Sequence, residues 1–384
     1  MATVATQRAA GLPRAGPAYK PIIHDVAPES TPGSEFNPSK HLNFKPPTQV
    51  IRMKDIGYSE DRGVSPIAVS QPFQLFSADA VHEMRREIFQ KEVMDNCKYS
   101  SNIAACQLRG YAPKYAPFTY DAWKNPETLK IISNIAGVDL VPVMDVEIGH
   151  INLSVKSEEQ TKQELDAISK QKRFFADDEG IGGCPWEDEK PVVGWHTDSY
   201  PFVCVLMLSD CTSMVGGETA LRTADGNVIK VRGPQMGCAV ILQGRYITHQ
   251  ALRALGAQER ITSVTSFRPR SPYARDDTVL DTVRPISDLS LLYEEFAEYR
   301  LENLEERIHA QLKEVRERRR AGKKFDTKAF KAFLREQQAF IEHMDNEMVP
   351  DELVVPGYVE EVNFPDVKVT EDKGKPPVKR SRQE

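Results

Sequence analysis

No stretch of about 18 consecutive apolar residues occurs in this chain, so a membrane-spanning helix is not expected. The N-terminal MATVATQRAAGLPRAGPAYKP lacks the continuous apolar core of a secretory signal. The six cysteines, Cys97, Cys106, Cys184, Cys204, Cys211 and Cys238, form no CxxC pair. Scattered in this way they suggest free thiols in a reducing compartment, and the expected location is cytoplasmic. A formal net charge of -6 provides no basic field, so nucleic acid is not an expected partner, and neither is a membrane. There is no internal repeat and no sustained heptad. The remaining composition, 40% hydrophobic and 28% charged, is ordinary for a globular protein of 384 residues.

The chain divides by texture. Residues 1–70 are rich in proline, with eight before residue 50, and read as an extended arm, because proline removes backbone donors and restricts its predecessor. Residues 71–285 read as the main domain. Apolar spacing predicts helices from Ser77 to about Asn96 and from Asp121 to Val138, then a strand from Val146 to Val155. Ser157-Glu158-Glu159-Gln160 resembles a capping box opening a polar helix to about Phe175. Gly180 to Pro191 reads as a loop. Short strands follow at Phe202–Leu208, Asn227–Val231, Cys238–Leu242 and Arg260–Phe267, with Val215-Gly216-Gly217-Glu218-Thr219 as a turn. Such spacing suggests a sandwich or jelly roll. Residues 286–350 read as a charged, Leu-rich helical extension with two open roles, a cover over a barrel mouth or a contact between copies. Residues 351–384 read as a mostly disordered tail. The pattern does not specify a homo-oligomeric state.

Chemistry concentrates between Trp195 and Pro269. On a strand, residues i and i+2 share a face, so His196 and Asp198 project together, and His249 can converge on them from elsewhere in the fold. Two histidines and one carboxylate form the ligand set that holds ferrous iron with open positions. Arg260 and Thr262 share a face by the same alternation, and a cation beside a hydroxyl suits a carboxylate. The bland alternatives are a hydrogen-bonded surface pair at His196 and Asp198, and a salt bridge from Arg260 to Glu259 or Glu218. Trp195 and Tyr200 are candidate substrate contacts, as is Arg268, for which a surface role is the alternative. His150 reads as a satisfied core histidine.

The run HTD…VLMLSD…GGETAL…DGNVIKV…GCAVILQG…ITHQAL…ERITSVTSF resembles the double-stranded β-helix core of Fe(II)/2-oxoglutarate-dependent oxygenases. Within that family the pattern is similar to the branch of isopenicillin N synthase-like and plant-type enzymes, and suggests a fungal biosynthetic member. The resemblance implies an α+β fold with a jelly-roll core flanked by N-terminal and C-terminal helices. It implies His196, Asp198 and His249 as iron ligands, and Arg260 with Thr262 as partners of the 2-oxoglutarate C5 carboxylate. The family's Asn-x-Tyr motif is absent, and Asn152-Leu153-Ser154 stands in a comparable place, making Asn152 a candidate second anchor. The implied cofactor is Fe(II), with 2-oxoglutarate and O2 as co-substrates, and the implied products include succinate and CO2. The expected reaction is hydroxylation, desaturation or cyclisation of a small molecule such as an amino acid or secondary-metabolite intermediate. Rivals are an iron oxygenase that does not use 2-oxoglutarate, a zinc hydrolase on the same ligands, and a non-catalytic β-barrel binding module.

Overall fold

The computed structural model describes residues 35–102, 104, 106–174, 193–211, 214–231, 235–252 and 254–359. Within them the chain mixes helices with antiparallel sheets. The larger sheet runs in the order Val50–Arg52, Ile67–Ser70, Cys238–Leu242, Phe202–Met207, Glu259–Pro269, His150–Val155, Gln107–Leu108 and Lys98–Tyr99. Phe73–Gln74 and Leu140–Pro142 are attached beside it. A smaller sheet has the order Val228–Val231, Thr219–Arg222, His249–Ala251 and Val193–His196. From residue 193 onward the strands are shared between these two sheets and a two-stranded one, Val215–Gly216 with Ala254–Leu255, so part of the stretch read as a turn is strand.

Strand period two sorts the side chains. Ile151, Cys204, Leu206, Ala239, Ile241, Ile261 and Phe267 leave one face of the larger sheet and join Val81, Met84, Trp123 and Ile132 of the N-terminal helices. The opposite face sends Val203, Val240 and Leu242 against Leu221 and Val231 of the smaller sheet, with Val205 and Val264 packed alongside. The interior between the two sheets is therefore apolar at one end, and alternation from Val264 places Thr262 and Arg260 on the same inward face.

Several elements depart from the sequence reading for identifiable reasons. The helix expected over 121–138 is two helices, Pro117–Lys124 and Pro126–Ala136. Pro126 disfavours helical geometry at Asn125, which instead caps the second helix by accepting from the Glu127 N–H at 2.9 Å. The helix expected over 77–96 breaks into Ala78–Ile88 and Lys91–Asn96. Glu87 of the first of these accepts from the backbone N–H groups of Phe118 and Thr119 (2.8 and 2.9 Å), capping a helix whose own N-cap position is alanine. Val50–Arg52 and Ile67–Ser70, inside the stretch read as an arm, are paired strands of the larger sheet. The capping box at Ser157 and Gln160 forms as expected, with both bonds at 3.1 Å. The expected loop 180–191, Cys184, residues 1–34 and residues 360–384 lie outside the described residues.

The C-terminal extension is a pair of helices, Leu289–Arg320 and Thr327–Glu347. Leu292, Phe296 and Tyr299 of the first pack on Val143, Met144, Val146 and Tyr200. The Arg300 guanidinium lies 3.7 Å over the Phe340 ring of the second and pairs with Asp276 at 3.3 Å. Beyond Arg307 no residue of the first helix is buried. No helix among the described residues is long and apolar enough to cross a membrane.

Candidate metal centre

His196 ends the strand Val193–His196 and His249 begins His249–Ala251, and the two residues are direct cross-strand partners. That register sets the two rings side by side, tilted at 52°, with centroids 4.4 Å apart. Asp198 follows the strand end, where its N–H bonds to the Gly244 carbonyl at 3.1 Å. Its Oδ1 lies 3.6 Å from His196 Nε2 and 3.5 Å from His249 Nε2. One ligand atom from each residue falls within 4.8 Å of the others. Among the described residues this is the only such group of three or more.

The backbone fixes the tautomers. His196 Nδ1 lies 2.8 Å from the Gly194 carbonyl and His249 Nδ1 lies 2.9 Å from the Ile247 carbonyl. A carbonyl can only accept, so each Nδ1 carries the proton and each Nε2 presents a lone pair toward Asp198. Histidine ligands are usually oriented by such a bond from the far ring nitrogen. Burial works against ionisation of Asp198, yet the neighbouring His249 and His196 outweigh it and hold the carboxyl well below its usual range. Burial likewise opposes a charged His249, but the Asp198 carboxylate outweighs it and raises that ring's pKa. Asp198 Oδ2 is buried with no hydrogen-bond partner. A carboxylate oxygen, Oδ1, within 3.6 Å of two converging ring nitrogens fits a divalent cation, and the N2O donor set suits iron.

Two neighbours make the cluster possible. A Cβ at Gly244 would lie 1.7 Å from Asp198 Oδ2, so only glycine leaves the carboxylate its place. The preceding Gln243 is buried and holds this turn to the larger sheet. Its Oε1 accepts from Val64 N–H at 2.6 Å, while its Nε2 donates to the Ser65 and Ile67 carbonyls at 3.0 and 2.7 Å. The sequence reading did not single out this turn. The signal available was a glycine immediately after a buried strand and an amide.

Arg260 is part-buried and opposite Ser154 in the register, and its Nε is buried with no hydrogen-bond partner among the described residues. Burial lowers its pKa. Glu259, a salt-bridge candidate from the sequence, pairs instead with Arg85 at 2.8 Å. Thr262 is buried and directly opposite both Asn152 and Met207. Asn152 accepts from Gln107 at 3.4 Å. The Trp195 ring is covered by the Arg222 guanidinium at 4.6 Å. Tyr200 is fully buried and donates its hydroxyl to Glu147 at 2.8 Å. Arg268 is buried on the Tyr299 ring at 4.6 Å. It lines a cleft of about 1330 Å³ between the strand Leu140–Pro142 and the helix Leu289–Arg320, a cleft to which none of the three metal-site residues contributes. The structure thus brings His196, Asp198 and His249 together, sets Arg260, Thr262 and Asn152 on the larger sheet, and gives Arg268 a separate cleft.

Sequence reasoning also missed a buried chain of polar groups. Arg109 pairs with Glu147 and donates to His150 Nδ1 at 3.0 Å, while the Gln107 amide lies 3.1 Å from His150 Nε2. Burial, reinforced by Arg109, drives the His150 pKa well down and keeps the ring neutral.

No family model and no curated protein matches the chain. Among solved structures it is similar to an oxidoreductase of the 2OG-Fe(II) oxygenase family from Burkholderia pseudomallei. The identity is 13% over 44% of this chain and 65% of that one, with a TM-score of 0.27. It is similar also to a prolyl-4-hydroxylase from Pseudomonas putida, at 18% identity over 50% and 88% of the two chains, with a TM-score of 0.28. A third is AviO1 from Streptomyces viridochromogenes Tue57, at 13% identity over 59% of this chain and 100% of that one, with a TM-score of 0.35. TM-scores this low establish no shared activity, and the case for one rests on the side chains themselves.

Proposed function

We propose that the chain is an iron(II)- and 2-oxoglutarate-dependent oxygenase, its two main sheets forming a double-stranded β-helix. The observation that carries the reading is the convergence of His196 Nε2 and His249 Nε2 on Asp198 Oδ1, with the Arg260 guanidinium, whose Nε has no hydrogen-bond partner among the described residues, on the inward face of the larger sheet. His196, Asp198 and His249 hold the metal, leaving the remaining coordination positions for small molecules. When bound, ferrous iron supplies the redox chemistry that couples O2 and the decarboxylation of 2-oxoglutarate to oxidation of a second substrate.

The protein's own groups do the positioning. The Gly194 and Ile247 carbonyls hold each ring in the tautomer that points Nε2 inward. Arg260, with Thr262 beside it, takes the far carboxylate of 2-oxoglutarate, and its partly desolvated cation strengthens that contact. Asn152, facing Thr262 across the register, is the second polar group available to the co-substrate. Trp195 and Tyr200 flank the ligands in sequence and belong to the substrate side, whereas Arg268 faces the separate cleft. The substrate is a small molecule. A zinc hydrolase would use the same three ligands but would have no use for Arg260.

The test is anaerobic reconstitution with ferrous ion, followed by exposure to O2 with 2-oxoglutarate and a panel of amino acids and secondary-metabolite precursors. One succinate should form per substrate oxidised. Substrate oxidation with no succinate would favour the oxygenase that draws all its electrons from substrate, and failure to bind ferrous ion would overturn the proposal.

A further inference from the structure

The outward face of the helix Leu289–Arg320 is ordered in a way that its own fold does not explain. Its core face carries Leu292, Phe296, Tyr299, Arg300, Asn303 and Arg307. At 100° per residue, the opposite face carries Glu294, Leu301, Glu305, Ile308, Leu312 and Arg319, all exposed. Three of these are large aliphatic residues, Leu301, Ile308 and Leu312, which are 53, 49 and 44% exposed. Three exposed aliphatic side chains, interrupted only by Glu305, on a helix that already has a core face signal a contact surface.

From Glu294 to Arg319, leaving aside the exposed Ser290 at the N-terminal edge of this face, the stripe reads the same in both directions, with intervals of 7, 4, 3, 4 and 7 residues. Its chemistry inverts from end to end, with an acid at Glu294 and a base at Arg319. The helix shows the same trend: Glu294, Glu295, Glu298 and Glu302 lie in its first half and Arg316, Arg318, Arg319 and Arg320 end it, with Glu314 and Glu317 interspersed. A two-fold axis between residues 306 and 307 would lay this face on its own copy, antiparallel. Leu301 would then meet Leu312 of the second copy, twice, and Glu294 would meet Arg319, twice. A two-fold interface requires this self-complementarity, in which residue i meets j and j meets i.

We propose that the protein is a two-fold dimer, with the outward face of the helix Leu289–Arg320 packed antiparallel on the same face of a second copy. The stripe is about 38 Å long at 1.5 Å per residue. The charged ends set the direction of pairing, because a parallel arrangement would juxtapose like charges. Glu305, next to the axis, faces Ile308 of the other copy and is the one residue that weakens the contact.

Sedimentation equilibrium of the full-length protein tests this. The expected mass is twice 43.3 kDa at micromolar concentration. Leu301→Glu with Leu312→Glu should weaken association by more than about 100-fold, since the apolar centre is lost. Glu294→Arg or Arg319→Glu alone should weaken it by roughly tenfold at low salt, and the double exchange should restore it. Glu305→Leu should tighten it. Circular dichroism and thermal melts at matched concentration establish that each variant is folded. A wild-type protein that stays monomeric at every concentration overturns the proposal. So does a dimer indifferent to the leucine substitutions, or one that the double charge exchange fails to rescue.

Discussion

Two histidines inside the same domain, His249 and His150, are both shielded from solvent and meet opposite fates. His249 bonds through one ring nitrogen to a backbone carbonyl and leaves the other facing a carboxylate oxygen. His150 has both nitrogens engaged, one by Arg109 and one by the Gln107 amide, and is held neutral. Burial does not separate the two. What differs is the partner: the second ring nitrogen of His249 faces the Asp198 carboxylate, whereas that of His150 faces an amide. The carboxylates repeat the lesson: Glu147 shares one oxygen between Arg109 and Tyr200, whereas Asp198 keeps a buried oxygen with no partner.

Substitution sharpens this contrast. His249→Ala or His196→Ala should abolish iron-dependent succinate formation and lower ferrous affinity by at least about 100-fold, measured by anaerobic titration. His150→Ala should bind iron within a few-fold of wild type but lose roughly 1–3 kcal/mol of stability in urea unfolding, because it strands Arg109 and Gln107. If His150→Ala loses iron instead, the distinction fails. Gly244→Ala should weaken ferrous affinity by about 10–100-fold, a second-layer effect on Asp198, with the far-ultraviolet spectrum unchanged. Arg260→Gln should leave iron binding intact and raise the KM for 2-oxoglutarate by roughly tenfold or more, reflecting the loss of a charge-assisted contact.

The smallest expected effect lies outside the site. Burial raises the Glu295 carboxyl to about 8, despite the bond it accepts from the Val146 N–H at 2.9 Å. A raised carboxyl favours the folded state below the unfolded value near 4.5, and that contribution fades as pH rises toward about 8. Glu295→Gln should therefore gain stability over wild type between pH 5 and pH 8, by roughly 1–2 kcal/mol after allowance for partial exposure. Equal unfolding midpoints at both pH values would contradict this.

The His-Asp-His group was legible in sequence from its residue types and the two-residue spacing at a strand end, although Asp198 lies just past the strand and is held by the Gly244 carbonyl rather than by strand alternation. Strand alternation placed Arg260 with Thr262. The supporting layer was not legible, because its contribution is made by backbone or by empty space. The carbonyls of Gly194 and Ile247 carry no side-chain signature, and Gly244 matters through the atom it lacks. Glu147 and Arg109 are far from the triad in sequence and look like ordinary surface charges until the fold buries them. The strands Val50–Arg52 and Ile67–Ser70 pair with each other but are hidden by the prolines around them, and the strand that joins them to the sheet, Cys238–Leu242, lies far along the chain. The break at Asn125 was readable from Pro126 alone, and apolar spacing across it was given too much weight.

The Gln243 side chain has a consequence for how the protein is handled. All three of its backbone partners, at Val64, Ser65 and Ile67, belong to the proline-rich N-terminal third. Trimming that region up to residue 70, an obvious step in making a shorter protein, would cut the tether of the turn whose glycine makes room for Asp198. Loss of iron in such a trimmed protein would then report a severed brace at the far end of the polypeptide, and a shorter cut ending before Glu35 would leave the brace whole.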